Sequence, residues 1–429
     1  MTKNKKAGVA TPAAKQNQLE NNSNTNSDRK QNSELLTWRS IDRFIDSEPP
    51  KPDLLFKGQD WEIRANLITA IFATGGTGKT FFGLQLAASL ATGVSLAPFT
   101  PDRKRKVLYL CGEDSEEILH ERINAIYKNM TGLEENRVNL LQNLCVESLV
   151  GKDRVLLELD ENRNPATTDT FSWLSATIAA IPGLEVLVID PMSRFHRLNE
   201  NDNGHANAWI AALEKLQVEH NLSIIFSHHE SKAQVKNGSL EESSGRGAAA
   251  LRDGVRGALS MAVMDRATAK KYSIQNHNDY VQILPTKSNN SSRPGIGEWF
   301  ERTEGGVLRP FNLIREHKEH QAEILLSAIT QAFSGNLEND DGEKIGAVES
   351  IDYREITHKP KTEIGKALTL LTNTNDSVKN RQHEIPLLLA KLATEGKIKV
   401  SEEKSGKTKK RVITLFNAVK KHSDSVNAL

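Results

Sequence analysis

Hydrophobic and polar positions alternate in a regular way along the middle of the chain, between about residues 60 and 314. Short apolar runs rich in β-branched residues alternate with longer stretches that have apolar residues at helical spacing. The runs lie at 67–72, 107–111, 185–190, 222–227 and 280–284, and the helical stretches at 80–91, 115–129, 169–181 and 206–220. This alternation predicts an α/β fold with a mostly parallel sheet covered on both faces. Residues 299–310, which turn at Gly305-Gly306, predict a terminal β-hairpin.

The two ends of the chain have a different pattern. Residues 1–33 are mostly Lys, Asn, Gln, Ser and Thr, with too few large apolar side chains to offset their chain entropy. We therefore expect a disordered polar tail over 1–33, a linker or N-terminal arm over 34–59, and the α/β domain over 60–315.

Residues 316–429 predict a second, smaller domain. Helical patterns at 317–333, 355–371 and 385–395 precede an alternating pair, 397–403 and 408–416, that turns at Ser405-Gly406. Helices followed by a two-stranded hairpin predict a winged-helix-like α+β domain. Five basic residues crowd the hairpin: Lys404, Lys407, Lys409, Lys410 and Arg411. They indicate either a surface for duplex DNA or a domain that docks a protein such as an initiator.

Composition narrows the function classes only slightly. The 429 residues carry a formal net charge of +1, so any nucleic-acid surface must be a local patch. Cys111 and Cys145 provide neither a disulfide framework nor a metal-binding spacing. No apolar run approaches the roughly 18 residues that a membrane span needs. We expect a cytoplasmic protein without a membrane partner.

The string A-T-G-G-T-G-K-T (73–80) stands between a predicted strand and a predicted helix, which is the context of a phosphate loop. Glycines let backbone amides turn inward around the phosphates of ATP, and the new helix presents its positive N-terminus. Lys79 would bridge the β- and γ-phosphates, and Thr80 would bind Mg²⁺. The predicted contacts with ATP are Thr74, Gly75, Gly76, Thr77, Gly78, Lys79, Thr80 and Asp190. Ala73 departs from the strict pattern, which begins with Gly.

Hydrolysis also needs a carboxylate beside the metal and a base for the attacking water. Asp190 ends the apolar strand L-E-V-L-V-I-D, at the sheet's carboxyl edge, where it would hold the Mg²⁺ shell with Thr80. Glu113 follows another strand in L-C-G-E-D and is the expected base. Asp114 beside it is either an alternative base or the cap of the helix that begins near Ser115.

A histidine pair, His228 and His229, ends the run at 222–227. No third ligand stands at useful spacing for a metal. The pair is therefore interpreted as a sensor of the γ-phosphate or as ordinary polar residues of the surface or core.

Taken together, these strings resemble the RepA-type hexameric replicative DNA helicases of broad-host-range plasmids, which are RecA-like members of the AAA family of ATPases. The resemblance spans about residues 49–315 and rests on the order and spacing of several strings. Besides the loop at 73–80 they are Y-L-C-G-E-D (109–114), V-L-V-I-D-P-M-S-R-F-H (186–196), I-I-F-S-H-H-E-S-K (224–232), S-S-G-R-G (243–247), L-P-T-K-S-N (284–289) and W-F-E-R-T-E-G-G-V-L-R-P (299–310). In that family the first loop position need not be Gly. The domain after 315 is not covered.

The resemblance implies a RecA-like P-loop NTPase core that assembles as a homohexamer and unwinds DNA by ATP-driven translocation. It implies the roles given above for Lys79, Thr80, Glu113 and Asp190, and a sensor at His228 or His229. It also implies that Arg246 is an arginine finger for a neighbouring subunit's γ-phosphate.

In RecA-like rings the loops at 197–206 and 230–245 would face a channel for single-stranded DNA. Lys232 and Lys236 would then contact phosphates, unless the second loop is simply mobile. Two alternative functions are a RecA- or RadA-like recombinase and an ATP-switched DNA-binding regulator.

Overall fold

The structure is a computed structural model that describes residues 41–416 apart from 59–60, 97, 131, 231–245, 289–296, 340, 359, 372–377 and 406–407. Contacts divide the chain into two units, Met1–Lys51 and Pro52–Leu429. The described part of the first unit contains helix α1 (Asp42–Ile45). The second unit contains the central sheet and the C-terminal region.

A nine-stranded sheet forms the centre of the second unit. Its parallel strands are β3 (Ile68–Ala73), β4 (Lys106–Cys111), β5 (Leu144–Ser148), β8 (Leu184–Asp190), β9 (Ser223–His229) and β10 (Gly257–Val263). Its antiparallel strands are β11 (Tyr280–Ser288), β12 (Glu298–Arg302) and β13 (Leu308–Phe311). The order is β13-β12-β11-β10-β3-β9-β8-β4-β5, in which neighbours from β10 to β5 pair parallel and β11, β12 and β13 extend the sheet antiparallel. The carboxyl ends of β3, β4, β8 and β9 therefore meet at one edge of the sheet.

Helices cover both faces of the sheet, as the apolar strands require. Alternate strand residues enter two separate cores: Val188 of β8 packs in one, and Leu187 and Ile189 pack in the other. Helices α2 (Lys79–Thr92), α3 (Glu116–Lys128) and α4 (Leu133–Asn143) lie on the first face. Helices α5 (Asp169–Ala180), α6 (Asn203–His220) and α7 (Arg246–Gly254) lie on the second.

Smaller elements complete this domain. Two short antiparallel hairpins are formed by β1 (Leu54–Lys57) with β2 (Glu62–Arg64) and by β6 (Leu157–Leu159) with β7 (Pro165–Thr167). Helix α8 (Arg266–Lys271) follows β10.

The C-terminal region has a hydrophobic core of its own. Helix α9 (Leu313–Ser334) begins against Met264 of the α/β domain and continues into the C-terminal core through Leu325 and Ile329. That core also takes residues from α10 (Tyr353–Thr357), α11 (Glu363–Leu371), α12 (Val378–Thr394) and the three-stranded sheet. The strand order is β14-β16-β15, with β14 at Ile351–Asp352, β15 at Ile398–Ser405 and β16 at Thr408–Leu415. This is an α+β arrangement, and its winged-helix interpretation stays a prediction.

The α/β fold with its large, mostly parallel sheet confirms the expectation from the sequence. Strands β5 and β10 and helix α4 were not expected: β5 alternates partly buried and exposed positions as a sheet edge does, and β10 reads G-A-L-S-M-A-V, too mixed to signal a strand. The prediction of a single helix over 355–371 was wrong. This segment forms two helices, α10 and α11, separated around Pro360, because proline cannot donate the backbone hydrogen bond that a continuous helix needs.

Candidate active site

The phosphate loop joins the end of β3 at Ala73 to the start of α2 at Lys79. Gly76 and Gly78 have φ angles of +77° and +100°, a region that residues with a β carbon rarely adopt. A β carbon added at Gly75 or Gly76 would meet no described atom within 4 Å. The loop backbone therefore borders open space at the N-terminus of α2, where an anion is favoured.

Two threonines stabilise the inside of this loop. Thr77 is fully buried, and its hydroxyl donates to the Thr74 carbonyl at 2.8 Å. Ala73, where the strict pattern has Gly, is still part of β3 and pairs in register with His229. An extended strand residue needs no glycine, so this departure leaves the loop geometry intact.

Lys79 is buried at the base of the loop with 6% of its surface exposed. Its Nζ lies 3.2 Å from the carbonyl oxygens of Ala73 and Thr74 and 2.9 Å from Nδ1 of His229. Burial lowers the pKa of Lys79 to about 8, and the nearby carboxylates of Asp190 and Glu113 partly oppose that shift. The ammonium is therefore held by weak partners that a phosphate can replace.

Asp190 ends β8 and is 2% exposed. One carboxylate oxygen accepts a 2.7 Å hydrogen bond from the Tyr109 hydroxyl, and the other accepts one from Ser227. The Tyr109 hydroxyl is also 3.5 Å from the Thr80 carbonyl, so it lies between Asp190 and the first turn of α2. The hydroxyl of Thr80 and the carboxylate of Asp190 are oxygen donors of the type Mg²⁺ takes, and they fit that ion.

Tyr109 was missed by the sequence interpretation. Burial raises its pKa well above the ordinary value, and the charge of Asp190 adds to the effect. The available signal was a tyrosine inside an apolar strand, K-V-L-Y-L-C, because a buried phenol needs a hydrogen-bond partner.

Glu113 lies beyond the end of β4, next to Lys79 and His229. Its Oε1 accepts a 3.0 Å hydrogen bond from Nε of Arg194, and its Oε2 is 3.7 Å from Nε2 of His229. Arg194 ends a short 3-10 turn, Met192–Arg194, directly after β8. This arginine was also missed, although it stands in the string that carries Asp190.

Asp114 has a different environment from Glu113. Its carboxylate forms a 2.7 Å ion pair with Arg122 of α3, and burial raises its pKa. Helix α3 has Ser115 and not Asp114 at its N-cap position, so the capping alternative for Asp114 was wrong.

The two histidines of β9 point to opposite faces of the sheet, as neighbouring strand residues must. His229 meets Lys79 and Glu113, whereas His228 is 4% exposed and packs edge-on against Phe72. Burial, with the neighbouring charges of other histidines and cations, lowers the pKa of His228 to about 4. The structure therefore brings His229, and not His228, to the phosphate loop.

On the far side of His228 lies a second histidine with the same character. His196 is 8% exposed, and burial lowers its pKa to about 4. Glu200 lies between the two, 3.8 Å from Nε2 of His196 and 3.7 Å from Nδ1 of His228. Glu200 thus brings the loop after β8 close to the strand that carries His229.

The expected trans-acting and DNA-contacting residues are only partly described. Arg246 begins α7, although its side chain lies outside the described residues, as do Lys232 and Lys236. Arg252, in the last turn of α7, is bound internally through a 2.6 Å ion pair with Glu230. Lys287 donates to the carbonyls of Arg252 and Asp253 at 2.8 Å, so it holds the C-terminal end of α7.

A further cation was not expected at the loop. Nη2 of Arg302, at the end of β12, donates to the Thr77 carbonyl at 3.0 Å. The same guanidinium lies 3.4 Å from the position that a β carbon on Gly78 would take. The antiparallel extension of the sheet therefore contributes a positive charge beside the phosphate loop.

The basic residues of the C-terminal hairpin are exposed and interspersed with acids. Lys409 is 3.4 Å from Glu402, and Lys410 is 3.8 Å from Asp352. Arg411 lies over the Tyr353 ring, and Lys404 pairs across the strands with Lys409. Lys407 lies outside the described residues.

Metal clusters and membrane spans are both absent from the described part of the chain. No group of three or more His, Cys, Asp or Glu side chains there could hold a metal ion by itself. None of the helices described has the length and apolar character that crossing a membrane requires.

Comparison with known proteins gives one family and several structures. Residues 29–235, just under half of the chain, match a family model described as an AAA domain. The chain is similar to a solved ATPase domain at 15% identity, covering 58% of this chain and 85% of that one, with a TM-score of 0.40. A KaiC-like protein from Pyrococcus horikoshii OT3 is similar at 13% identity, with 60% and 94% covered and a TM-score of 0.39.

A DnaB-like replicative helicase, studied with its interactions with primase, is similar at 14% identity, with 58% of each chain covered and a TM-score of 0.41. Likenesses this remote do not carry function across, so the function is argued from the site. Residues 29–235 are therefore similar to an AAA domain, and a phosphate loop at the edge of a mostly parallel sheet is the arrangement of a P-loop ATPase.

Proposed function

We propose that the protein is an ATP-dependent replicative DNA helicase of the RepA type, which hydrolyses ATP between the subunits of a homohexameric ring. The observation that carries the proposal is the meeting of Lys79, Glu113 and Asp190 at one edge of the sheet. Phosphoryl transfer to water needs these three kinds of group. DNA is proposed as the substrate because the strings between 49 and 315 resemble those of plasmid helicases.

Each residue has a distinct part in ATP hydrolysis. The loop amides from Thr74 to Gly78 bind the phosphates, and Lys79 exchanges its carbonyl partners for phosphate oxygens. Thr80 and Asp190 would hold Mg²⁺, which neutralises phosphate charge when bound. Glu113 takes a proton from the attacking water, and His229 lies between Glu113 and Lys79, where it responds to the γ-phosphate.

A neighbouring subunit would complete the site. Arg246 starts a helix whose other end is held by Lys287, so the helix can present that arginine as a rigid unit. An arginine supplied in trans stabilises the charge of the transition state. The loops at 197–206 and 230–245 would contact single-stranded DNA in the channel, and the C-terminal hairpin would contact duplex DNA or an initiator protein.

Unwinding of a forked DNA duplex with ATP and Mg²⁺, measured beside native mass and electron microscopy, tests this function. We expect closed six-subunit rings and ATP-dependent strand separation. Filaments on DNA without strand separation would indicate the recombinase alternative. ATP binding with neither filaments nor strand separation would indicate a regulator.

Variants at the site test the separate roles of Lys79 and Glu113. Lys79→Ala should abolish nucleotide binding, whereas Glu113→Gln should keep ATP binding and lower turnover by about 10²–10⁴, the usual contribution of a general base. Glu121→Gln, on the exposed surface of α3, is the matched control and should behave like the wild type. Wild-type turnover in Glu113→Gln would show that another group activates the water.

A further inference from the structure

Arg302, the last residue of β12, donates a hydrogen bond to a peptide carbonyl of the phosphate loop. Its Nη2 lies 3.0 Å from the Thr77 oxygen, across 225 positions of sequence. We propose that Arg302 is a positioning residue of this loop, which directs the Gly78 amide toward the phosphates of the nucleotide and strengthens it as a donor. The inference rests on the proposed ATPase function and concerns how the loop is kept ready for the nucleotide.

The peptide that joins Thr77 to Gly78 transmits the effect. This peptide is trans, so its carbonyl and its N–H point in opposite directions. An arginine that binds the Thr77 oxygen therefore directs the Gly78 N–H away from itself. No residue in the described part of the chain accepts a hydrogen bond from this amide, which leaves it for a phosphate oxygen. A cation on the carbonyl also polarises the peptide, and linked hydrogen bonds strengthen one another.

Gly78 needs such a restraint because glycine has more backbone freedom than any other residue. Its φ angle is +100°, and the position of a missing β carbon lies 3.4 Å from Nη1 of Arg302. On the other side of Gly78, its carbonyl accepts a 3.0 Å hydrogen bond from the Phe82 amide of α2. Arg302 and α2 therefore hold the peptides before and after this glycine.

The hairpin formed by β12 and β13 is itself fixed to α2. Arg302 pairs in register with Leu308 of β13. The Leu308 backbone donates to the side-chain amide of Gln85 at 2.9 Å and accepts from it at 2.8 Å, and both contacts are buried. In the turn between the strands, a β carbon on Gly306 would lie 2.6 Å from the ring of Phe81. The guanidinium is therefore carried by a rigid element, as a positioning group requires.

The test is nucleotide binding by the full-length protein, measured with a fluorescent ADP analogue and by thermal unfolding with and without ADP. Arg302→Met keeps an unbranched stem and removes the donors. It should raise Kd by about tenfold, the scale of one hydrogen bond to a charged group. The unfolding temperature without nucleotide should match that of the wild type, and the increase produced by ADP should be smaller.

Hydrolysis provides a second measurement of the same variant. KM for ATP should rise and kcat should change little, because the amide binds phosphate before and during the reaction. Arg302→Lys, which keeps a cationic donor, should restore most of the affinity.

Arg309→Met is the matched control. Arg309 is exposed on β13 of the same hairpin, opposite Glu301 in the register, so the variant removes the same charge and should leave Kd unchanged. A wild-type Kd in Arg302→Met overturns the inference. So does a loss of affinity that Arg302→Lys does not reverse. A wild type that binds ADP and ATP but does not hydrolyse ATP overturns the proposed function instead, and the binding test of Arg302 still applies.

Discussion

The hydroxyl of Tyr109 donates a 2.7 Å hydrogen bond to the carboxylate of Asp190, in a region where both residues are almost fully buried. A second hydroxyl, from Ser227, binds the other oxygen. Hydrogen bonds to a carboxylate fix its orientation, and groups that orient a metal ligand strongly affect metal affinity. Tyr109 therefore acts as a positioning residue for Asp190.

Tyr109→Phe should raise the Mg²⁺ concentration needed for half-maximal ATP turnover by about tenfold, within the range seen for outer-shell partners. Nucleotide binding in EDTA should not change, because the variant leaves the phosphate loop intact. Titration of turnover with Mg²⁺ measures the first effect, and a fluorescent nucleotide measures the second. Tyr280→Phe, which removes a 3.3 Å hydrogen bond to Glu301, is the control. An unchanged Mg²⁺ requirement in Tyr109→Phe would show that Ser227 alone orients Asp190.

Nucleotide affinity should fall as the pH rises above about 8, because burial lowers the pKa of Lys79 to about 8. Phosphate binds the charged ammonium, so above that pH the free protein must first take up a proton. The affinity then declines by up to tenfold per pH unit. A fluorescent ADP analogue, titrated between about pH 7.5 and 9.5, follows this decline while the nucleotide's own charge stays constant.

Lys79→Arg provides the control for that profile, since a guanidinium keeps its charge over the whole range. Its affinity, although lower, should not vary with pH. A flat profile in the wild type would mean that Lys79 keeps its proton in the free protein.

Sequence patterns located the parts of the site that depend on strand ends. Asp190 ends an apolar strand, Glu113 and the phosphate loop come at the ends of two others, and the carboxyl ends of parallel strands meet at one edge. Periodicity could not choose between His228 and His229 until the strand's faces were known. One face borders Lys79, and the other borders Phe72 and Glu200.

The contacts that were missed join residues far apart in sequence. Arg194 reaches Glu113 across 81 positions, and Arg302 reaches Thr77 across 225. No local spacing signals such pairs, because the sheet order that creates them places β8 beside β4 and appends β12 by antiparallel pairing. An arginine near a strand end indicates a charge that needs a partner, but only the topology identifies which partner it finds.

Arg246→Ala should leave ATP affinity nearly intact and reduce turnover by a factor on the order of 10³, the scale expected when an arginine finger is removed. The reason is that the arginine stabilises charge that develops in the transition state. Mixing Arg246→Ala subunits with Lys79→Ala subunits should restore part of the hydrolysis. In mixed rings an intact Lys79 site can face an intact Arg246. Mixtures that co-assemble, as shown by native mass, and remain as inactive as their parents would refute a site shared between subunits.

The C-terminal hairpin provides the last prediction. Its described lysines have only weak, exposed acidic partners, such as Glu402 at 3.4 Å from Lys409 and Asp352 at 3.8 Å from Lys410. Exposed pairs of this kind contribute about 0–1 kcal/mol each, so the lysines can exchange them for DNA phosphates. A variant in which glutamine replaces four lysines should bind duplex DNA more weakly, as the full-length protein. The replaced residues are Lys404, Lys407, Lys409 and Lys410.

The log–log dependence of that binding on salt should become shallower by about 0.9 for each DNA phosphate that the variant no longer neutralises. ATP hydrolysis without DNA should stay at the wild-type rate, because the hairpin belongs to a separate hydrophobic core. A control variant replaces Lys270 and Lys271 of α8 with glutamine, which lowers the surface charge elsewhere. It should leave the salt slope unchanged. A salt slope that the hairpin variant does not alter would argue that the hairpin binds a protein partner, such as an initiator, and does not contact DNA.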